Sequence, residues 1–248
     1  MRKNILITGA SSGLGEGMAR LFAARGRNLA LCARRTDRLE ALAAELTAAY
    51  PEITVSVKKL DVNDHDAVFT VFREFADEFG SLDRVIVNAG LGKGQPLGTG
   101  RFDANKQTAE TNFVAALAQC EAAMEIFRRQ NAGHLVMISS VSAYRGMPKN
   151  VTTYAATKAG VAALAEGLRM ELLRKPIQVS TIYPGYIRSE MNERVENAPY
   201  MVDTETGCRA MVAAIEKEVG NASVPWWPWA PIGVLMRHLP LGWVRKLF

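Results

Sequence analysis

Tyr154 and Lys158 are the two residues of this chain whose types and spacing best suit acid–base chemistry. They lie in a stretch with helical periodicity, and side chains four residues apart on a helix share one face. An ordinary tyrosine, with a pKa of about 10, is a poor proton donor near neutral pH, whereas a nearby ammonium group stabilises its phenolate. If both side chains face a cleft, the pair can transfer a proton near neutral pH. The spacing by itself is also that of a pair on the surface of a helix, so the other motifs must decide between the two interpretations.

A second chemical feature is the glycine-rich stretch between Thr8 and Gly15, which follows a short apolar run and precedes a helical pattern. Glycines let the backbone turn tightly and approach a phosphate, and the first N–H groups of the helix attract negative charge. The stretch is predicted to bind the pyrophosphate of a dinucleotide. The residues expected to contribute are Gly9, Ser11, Ser12, Gly13, Leu14 and Gly15.

The elements that must position these residues alternate regularly between strand and helix. Short apolar runs predict strands at 4–8, 29–32, 54–60, 85–88, 135–139 and 178–183, and helical patterns predict helices at 14–25, 38–49, 64–79, 103–130 and 154–174. Strands connected through helices form parallel sheets by right-handed crossovers. The predicted fold is an α/β doubly wound parallel sheet with helices on both faces, in a single domain.

Composition narrows the functional classes. The 248 residues are 48% hydrophobic and 22% charged, which is typical of one packed globular domain. The net charge of +5 is spread along the chain before its last segment, so no nucleic-acid partner is expected. Cys32, Cys120 and Cys208 are widely spaced, so neither a disulfide framework nor a metal site is expected. With no secretory signal before the first strand, we expect a cytoplasmic protein.

Four motifs occur in one order: Gly9-x3-Gly13-x-Gly15, Asn88-Ala89-Gly90, Tyr154-x3-Lys158 and Pro184-Gly185. In this order and at these separations they resemble the short-chain dehydrogenase/reductase family, over roughly residues 3–220. The resemblance implies a Rossmann-type sheet of seven strands, a nicotinamide cofactor, and a homodimer or homotetramer built on the long helices. The glycine spacing and the modest length resemble the compact reductase branch of that family.

The residues after the second strand decide between NAD and NADP. A carboxylate there binds the ribose hydroxyls and repels a 2′-phosphate, whereas this chain has Arg34 and Arg35. Guanidinium groups suit phosphate, so we predict NADP(H), with Arg34 the first candidate and Arg35 the second. Asp37 is expected to cap the following helix. Ser12 stands where many NADP-using relatives have a basic residue, so phosphate recognition would depend on the two arginines.

The resemblance assigns further cofactor contacts. Asp61 and Val62, after the third strand, resemble the pair that holds the adenine, and Asn88-Ala89-Gly90 would let the ribose lie against the backbone. Lys158 would hold the nicotinamide ribose, beside Tyr154. Pro184 and Gly185 would turn the chain over the nicotinamide, so that two later residues could meet its carboxamide. These two residues are Ile187 and Ser189.

Two more catalytic candidates rest on the resemblance. Ser140, at the end of the fifth strand, would donate a hydrogen bond to the substrate oxygen. It precedes Tyr154 by fourteen residues, one more than the usual family spacing, so Ser139 and Ser142 remain alternatives. Asn112 resembles the residue that holds a helix kink and a water in the proton relay from the lysine.

We divide the chain into residues 1–223, the Rossmann-fold catalytic and cofactor-binding domain, and residues 224–248, an apolar and basic tail rich in Trp and Pro. The tail holds all four tryptophans and no acid. It is too short and too interrupted to span a bilayer. Two interpretations remain open: the tail packs over the pocket or a neighbouring subunit, or it is a peripheral membrane contact.

The substrate pocket is expected to be apolar, because the segments that would cover it carry several large apolar and aromatic side chains. These are Tyr144, Met147, Tyr186, Met191 and Tyr200. We predict an NADPH-dependent oxidoreductase that acts on an apolar carbonyl or alcohol. The alternatives are a peripheral membrane-associated reductase of a lipid substrate, and a non-catalytic NADP(H)-sensing protein.

Overall fold

The computed structural model describes residues 2–193 and 198–247. Seven parallel strands form one sheet in the order β3-β2-β1-β4-β5-β6-β7, which confirms the predicted doubly wound α/β fold. The first six strands begin and end within two residues of their predicted bounds. The strands are β1 Asn4–Thr8, β2 Asn28–Ala33, β3 Val55–Lys59, β4 Arg84–Val87, β5 Gly133–Ile138, β6 Ile177–Pro184 and β7 Asn221–Val224.

The helices cover both faces of the sheet. Apolar side chains of α3, α5 and α6 pack on one face, and those of α1, α2 and α7 pack on the other. Both faces of the central strands are buried, which explains their nearly continuous apolar sequences. The helices are α1 Gly13–Ala23, α2 Thr36–Ala49, α3 His65–Phe79, α4 Phe102–Ala109, α5 Ala115–Gln130, α6 Thr152–Glu171, α7 Thr204–Glu216, α8 Trp226–His238 and α9 Leu241–Leu247.

The structure differs from the sequence-based elements in four places. Helices α7, α8 and α9 have no counterpart among the predicted helices. The predicted helix 103–130 is divided into α4 and α5 by a π-helical turn at Glu110–Val114. The resemblance implied seven strands, but no apolar run indicated the position of β7, because its four residues are partly polar and lie at an edge. The prediction that Asp37 caps a helix is wrong: α2 begins at Thr36, so Asp37 lies within the first turn, where its charge favours the helix dipole.

The amino ends of the strands hold a buried ionic network. Arg84, the first residue of β4, donates to the Glu216 carboxylate at 2.6 Å and to Nδ1 of His134 at 2.8 Å. The other nitrogen of His134 is 2.8 Å from the hydroxyl of Ser180. Burial, followed by the charge of Arg84, lowers the pKa of His134 to about 3, so the imidazole is neutral. This network stabilises the amino-terminal end of the sheet, which is the end opposite the candidate site.

Candidate active site

The candidate catalytic residues meet at the carboxyl ends of the central strands. From β1, the strand order continues through β2 to β3 on one side of the sheet and through β4 to β7 on the other side. The chain connections therefore change direction between β1 and β4, which flank a topological switch point. Ligands of open α/β sheets bind in the crevice at such a point. The glycine-rich loop after β1, the loop after β4 and the first turns of α6 all face this crevice.

Lys158 lies on α6 with its side chain buried to 5% exposure. Its Nζ donates to the carbonyl oxygen of Ile138, the last residue of β5, at 2.9 Å. The same Nζ is 5.8 Å from the ring centroid of Tyr154, one helical turn earlier. Burial lowers the pKa of the lysine to about 8, because its charged form loses water without gaining an anionic partner among the described residues.

The Tyr154 phenol differs from our expectation of a lowered pKa. Burial raises the pKa of Tyr154, the nearby Ser140 hydroxyl opposes that rise, and the phenol of Tyr186 adds to it. The protein's own groups thus keep the phenol protonated near neutral pH. Desolvation of the phenolate outweighs the stabilisation that we expected from Lys158. A protonated phenol suits the donation of a proton.

Three neighbouring serines follow β5, and the structure separates them. The Ser140 hydroxyl lies near the Tyr154 phenol and opposes the rise of its pKa. The Ser140 oxygen also accepts the backbone N–H of Ser142 at 3.2 Å. Ser139 is buried and donates to the backbone carbonyl of Lys158 at 2.8 Å, which ties β5 to α6. Ser142 has a buried hydroxyl with no partner among the described residues. Of the three, Ser140 is placed beside the phenol despite the longer loop.

Asn112 lies in the π-helical turn between α4 and α5 and is 1% exposed. Its amide oxygen accepts the backbone N–H of Leu91 at 2.6 Å, and its amide nitrogen donates to the carbonyl of the same residue at 2.8 Å. A Cβ on Gly90 would lie 3.4 Å from the Asn112 oxygen and 3.5 Å from Nζ of Lys158. Asn112 therefore fixes the loop after β4 beside the lysine.

The glycine-rich loop forms a cradle that side chains would fill. A Cβ on Gly15 would approach the Gly9 carbonyl oxygen to 2.3 Å. Gly9 and Gly13 have positive φ values of 64° and 56°, where only glycine is unstrained. The Ser12 side chain does not cap α1, which leaves N–H groups of its first turn for an anion. Leu14 follows within this first turn, so the predicted loop residues fit a pyrophosphate.

Arg35 reaches the same loop from the end of β2. Its guanidinium donates to the hydroxyls of Ser11 at 3.2 Å and Ser12 at 2.6 Å. Sequence reasoning missed Glu190, whose carboxylate pairs with Arg35 at 3.0 Å and also with Arg38. Arg38, then Arg35 and Ser12, hold the pKa of Glu190 at about 2, against a smaller opposing effect of burial. Glu190 is 155 positions from Arg35 in the chain, so no local sequence pattern indicates that the two side chains meet.

The other candidate cofactor residues line the same edge. Arg34 is largely exposed, with its guanidinium 4.0 Å from the Asp61 carboxylate, which also accepts two hydrogen bonds from Asn63. Val62 is buried behind it. The Asn88 side chain donates to the Thr8 carbonyl at 2.9 Å and so joins the loops after β1 and β4. Ala89 is close enough that a Cβ on Gly9 would lie 3.0 Å from its Cα.

The segment after β6 folds back toward the glycine-rich loop. Pro184 ends β6, and the N–H of Gly185 continues the pairing with Val224 at 2.9 Å. Ile187 is buried, and its carbonyl accepts the side chain of Asn192 at 2.7 Å. A Cβ on Gly13 would lie 3.3 Å from the Cβ of Ser189. These positions place the segment over the crevice.

The substrate side of the crevice is aromatic. Its centre is Trp229 of α8, a residue that sequence reasoning did not single out, with 2% exposure. Its ring lies 5.7 Å from that of Tyr186 and 6.1 Å from that of Tyr200, both edge to face. Tyr144 stacks on Tyr183 at 4.8 Å, so it is part of the wall behind.

Two methionines that we expected in the pocket have different surroundings. Met147 is buried against Ala155 and Met236. Met191 is half exposed and lies against the loop at Gly92. The tail predicted at 224–248 therefore supplies α8, with Trp229 and Met236, to the cover of the crevice; its first residue, Val224, is still part of β7.

Two negative findings apply to residues 2–193 and 198–247. No group of three or more His, Cys, Asp or Glu side chains there could hold a metal ion. No helix in this part of the chain is both long enough and apolar enough to cross a membrane.

Known proteins resemble this chain over most of its length. Residues 3–200 match the family model described as short chain dehydrogenase. An uncharacterized oxidoreductase of Mycobacterium tuberculosis is 59% identical over 245 residues, which cover 99% of this chain and 97% of that protein. The residues that match the family model include the first six strands of the sheet and all four sequence motifs.

Solved structures show the same fold. A short-chain dehydrogenase from Sphingobium yanoikuyae in complex with NADPH superposes with a TM-score of 0.83 at 28% identity, covering 99% of this chain and 94% of the other. A short chain dehydrogenase/reductase from Burkholderia phymatum in complex with NAD has a TM-score of 0.84 at 21% identity, covering 99% and 95%. The second likeness concerns the fold alone.

Proposed function

The chain belongs to the short-chain dehydrogenase/reductase family of oxidoreductases, whose fold binds a nicotinamide cofactor, and we propose that it is an NADPH-dependent reductase of apolar carbonyl compounds. The observation that carries the proposal is the arrangement of Tyr154, Lys158 and Ser140 around one crevice. When bound there, the cofactor supplies the hydride that reduces the carbonyl carbon. The same residues serve the reverse oxidation of the alcohol.

Tyr154 is the proposed general acid. Its raised pKa keeps the proton on the phenol, which gives it to the carbonyl oxygen as the carbon is reduced. Ser140 donates a hydrogen bond to the same oxygen and stabilises the negative charge that develops there. The phenolate that remains takes up a proton before the next turnover, so the reaction consumes one proton and one hydride for each carbonyl.

Lys158 and Asn112 complete the proposed machinery. With a pKa of about 8, the lysine is mostly charged near neutral pH and stabilises the phenolate after proton transfer. Its Nζ also faces Gly90, where it would hold the nicotinamide ribose. Asn112 keeps the backbone at Leu91 in place through two hydrogen bonds and is proposed to support the proton path from the lysine.

Preference for NADPH is proposed from the charges beside the glycine-rich loop. Arg35 places its guanidinium against Ser12, so a neighbour in space supplies the positive charge that this loop position itself lacks. Arg34 and Arg38 add two further guanidinium groups at this edge. Forked, permanently charged donors suit the 2′-phosphate of NADPH. Glu190 holds Arg35 and Arg38 in position until the phosphate replaces it.

The remaining cofactor contacts are proposed as the motifs predict. Asp61 and Val62 would hold the adenine, and the backbone after β4 and β6 would hold the ribose and nicotinamide. Ile187 and Ser189 are proposed neighbours of the carboxamide. Because the carbonyl of Ile187 already accepts a hydrogen bond from Asn192, the backbone N–H of Ile187 is its group left to donate. A homodimer or homotetramer remains the predicted assembly.

The substrate is proposed to be apolar, because Tyr186, Tyr200 and Trp229 dominate its side of the crevice. Aromatic walls bind hydrophobic molecules through the apolar area that they remove from water. The sensor alternative has less support, since a protein that only binds cofactor could use Lys158 to hold the ribose but would not need the phenol of Tyr154 and the hydroxyl of Ser140 beside it.

The test is NADPH oxidation with a panel of apolar ketones and aldehydes, which is measured as the loss of NADPH absorbance. Tyr154→Phe is expected to lower the turnover number by about 10²–10⁴-fold while NADPH binding remains. Turnover that survives this substitution contradicts the assigned acid. NADPH binding without turnover on any substrate by the unaltered protein supports the sensor alternative.

The cofactor preference has its own test. Arg35→Gln is expected to weaken NADPH binding by about 10–100-fold, because charge-assisted hydrogen bonds contribute roughly 1.5–3 kcal/mol. NADH binding serves as the matched control and is expected to change much less. Equal losses for both cofactors, or a clear preference of the unaltered protein for NADH, contradict the phosphate assignment.

A further inference from the structure

The last two helices, α8 and α9, carry exposed apolar side chains that the catalytic proposal does not use. Six of them are large and between 52% and 70% exposed, and three of the six are tryptophans. We call the surface that these six side chains contribute the tail face. It consists of Trp226, Trp227, Val234, Leu235, Leu241 and Trp243.

Helix α8 is apolar on two sides. Its inner side buries Trp229, Gly233 and Met236 over the crevice, whereas Val234 and Leu235 point outward. A helix that is apolar all round is normally covered on every side. Among residues 2–193 and 198–247, only the inner side of α8 is covered by the chain itself, and three large exposed tryptophans are more than an ordinary surface carries.

The charges around the tail face decide what covers it. Arg237 and Arg245 are exposed beside it, and Arg145 joins them by donating to the Arg237 carbonyl at 2.8 Å. No acidic residue follows Glu218 in the sequence. A second copy of the same face would bring arginines against arginines with no carboxylate from this segment to pair them. An anionic lipid surface complements both the basic and the apolar groups.

We propose that the tail face docks the protein on the surface of an anionic lipid bilayer. Tryptophan rings lie at the depth of the lipid headgroups, and the arginines meet the anionic headgroups. The inner side of the same helix contacts Gly185 and Tyr144, so docking brings the aromatic side of the crevice next to the bilayer. Apolar carbonyl compounds dissolved in the membrane are the substrate class that this position favours.

The docking can be measured without turnover, so its failure is distinguishable from failure of the proposed reaction. The full-length protein is mixed with vesicles of phosphatidylcholine, alone or with phosphatidylglycerol, and the bound fraction is measured by flotation. We expect binding to the anionic vesicles and a blue shift of tryptophan fluorescence. Raising the salt concentration is expected to weaken the binding.

The variant Trp226→Ser/Trp243→Ser is expected to lower the partition coefficient by about tenfold or more, since it removes two exposed rings. Each of Arg237→Gln and Arg245→Gln is expected to lower binding to the anionic vesicles by about fivefold. The matched control is Leu97→Ser/Leu173→Ser, which removes two side chains of 68% and 77% exposure outside the tail face. Thermal unfolding establishes that each variant is folded.

Absence of binding by the unaltered protein to either kind of vesicle overturns the proposal. An equal loss of binding in the leucine control also overturns it, because the effect would then not belong to the tail face. If the tryptophan variant changes the oligomer size in solution while no form binds vesicles, the face is instead an interface between copies of this chain.

Discussion

Two buried basic side chains lie at opposite ends of the same sheet, and they differ in what surrounds them. Arg84, at the amino end of β4, is 1% exposed and contacts Glu216, Glu218 and His134. Lys158, at the carboxyl end of β5, is 5% exposed and donates to one backbone carbonyl. The first charge is fully paired, whereas the second is held without an anion among the described residues.

This difference separates a structural charge from a functional one. A buried charge without a counterion is costly, because it loses hydration and gains little in return. The lysine therefore lies in a position that stability alone does not favour, next to the phenol that needs its charge. Arg84, by contrast, neutralises carboxylates at the amino ends of the strands, away from the candidate site. Three experiments test whether the two sites differ in this way.

The largest expected effect is on catalysis. Replacement of the lysine in Lys158→Met removes the charge that stabilises the phenolate, so we expect turnover to fall by about 10²–10⁴-fold. The melting temperature is expected to stay the same or rise, because an unpaired buried charge is replaced by an apolar side chain of similar length. A melting temperature that falls by many degrees would show that the lysine stabilises the fold as Arg84 does.

The second effect is on stability. The substitution Arg84→Met removes the bonds of a fully buried guanidinium to Glu216, Glu218 and His134, so we expect the free energy of unfolding to fall by about 3 kcal/mol. The two carboxylates keep Arg27 and Arg2 as partners. Denaturant unfolding measures the loss, with turnover of the folded fraction expected to stay unchanged. Arg20→Met, which removes surface ion pairs with Glu16 and Glu45, is the matched control and is expected to cost less than about 1 kcal/mol.

The smallest effect, over the range from about pH 7 to pH 5, is the pH dependence of the amino-end network, at about 2 kcal/mol. The pKa of His134 is lowered to about 3 in the folded protein, so below the ordinary histidine pKa of about 6.5 only the unfolded chain takes up this proton. Its contribution to stability is complete above that pH and is lost progressively as the pH falls toward 3, by about 1.4 kcal/mol for each pH unit.

Unfolding free energies measured between about pH 7 and pH 5 check this slope, because the lowered pKa values of Glu216 and Glu218 place their titration below that range. The variant His134→Gln is expected to be less stable but to lose the slope. A slope that is unchanged in the variant would assign the effect to other groups and would weaken the contrast between the two ends of the sheet.

Much of the fold was predictable because it depends on local patterns. Six strands follow from apolar runs, and the helices up to α6 follow from their periodicity. The helix irregularity at Asn112 was expected only from the family resemblance, since the side-chain hydrogen bonds of Asn112 involve Leu91, 21 residues away. Strand β7 was missed because its short sequence is not distinctly apolar and its pairing with β6 supplies the regularity.

The candidate site divides in the same way. The spacing of Tyr154 and Lys158 on one helical turn was sufficient to predict their common face. Glu190 and Trp229 were missed, because each acts through contacts with residues far away in the chain. Glu190 meets Arg35 across 155 positions, and no local pattern records such a pair.

The sequence by itself determined the order of the elements, the glycines of the phosphate cradle and the tyrosine–lysine pair, because backbone freedom and helical spacing are local properties. Tertiary structure decided which buried charges are paired, which serine meets the phenol and in which direction each pKa shifts. Those properties depend on burial and on neighbours brought from distant parts of the chain, and they distinguish the reactive end of the sheet from its structural end.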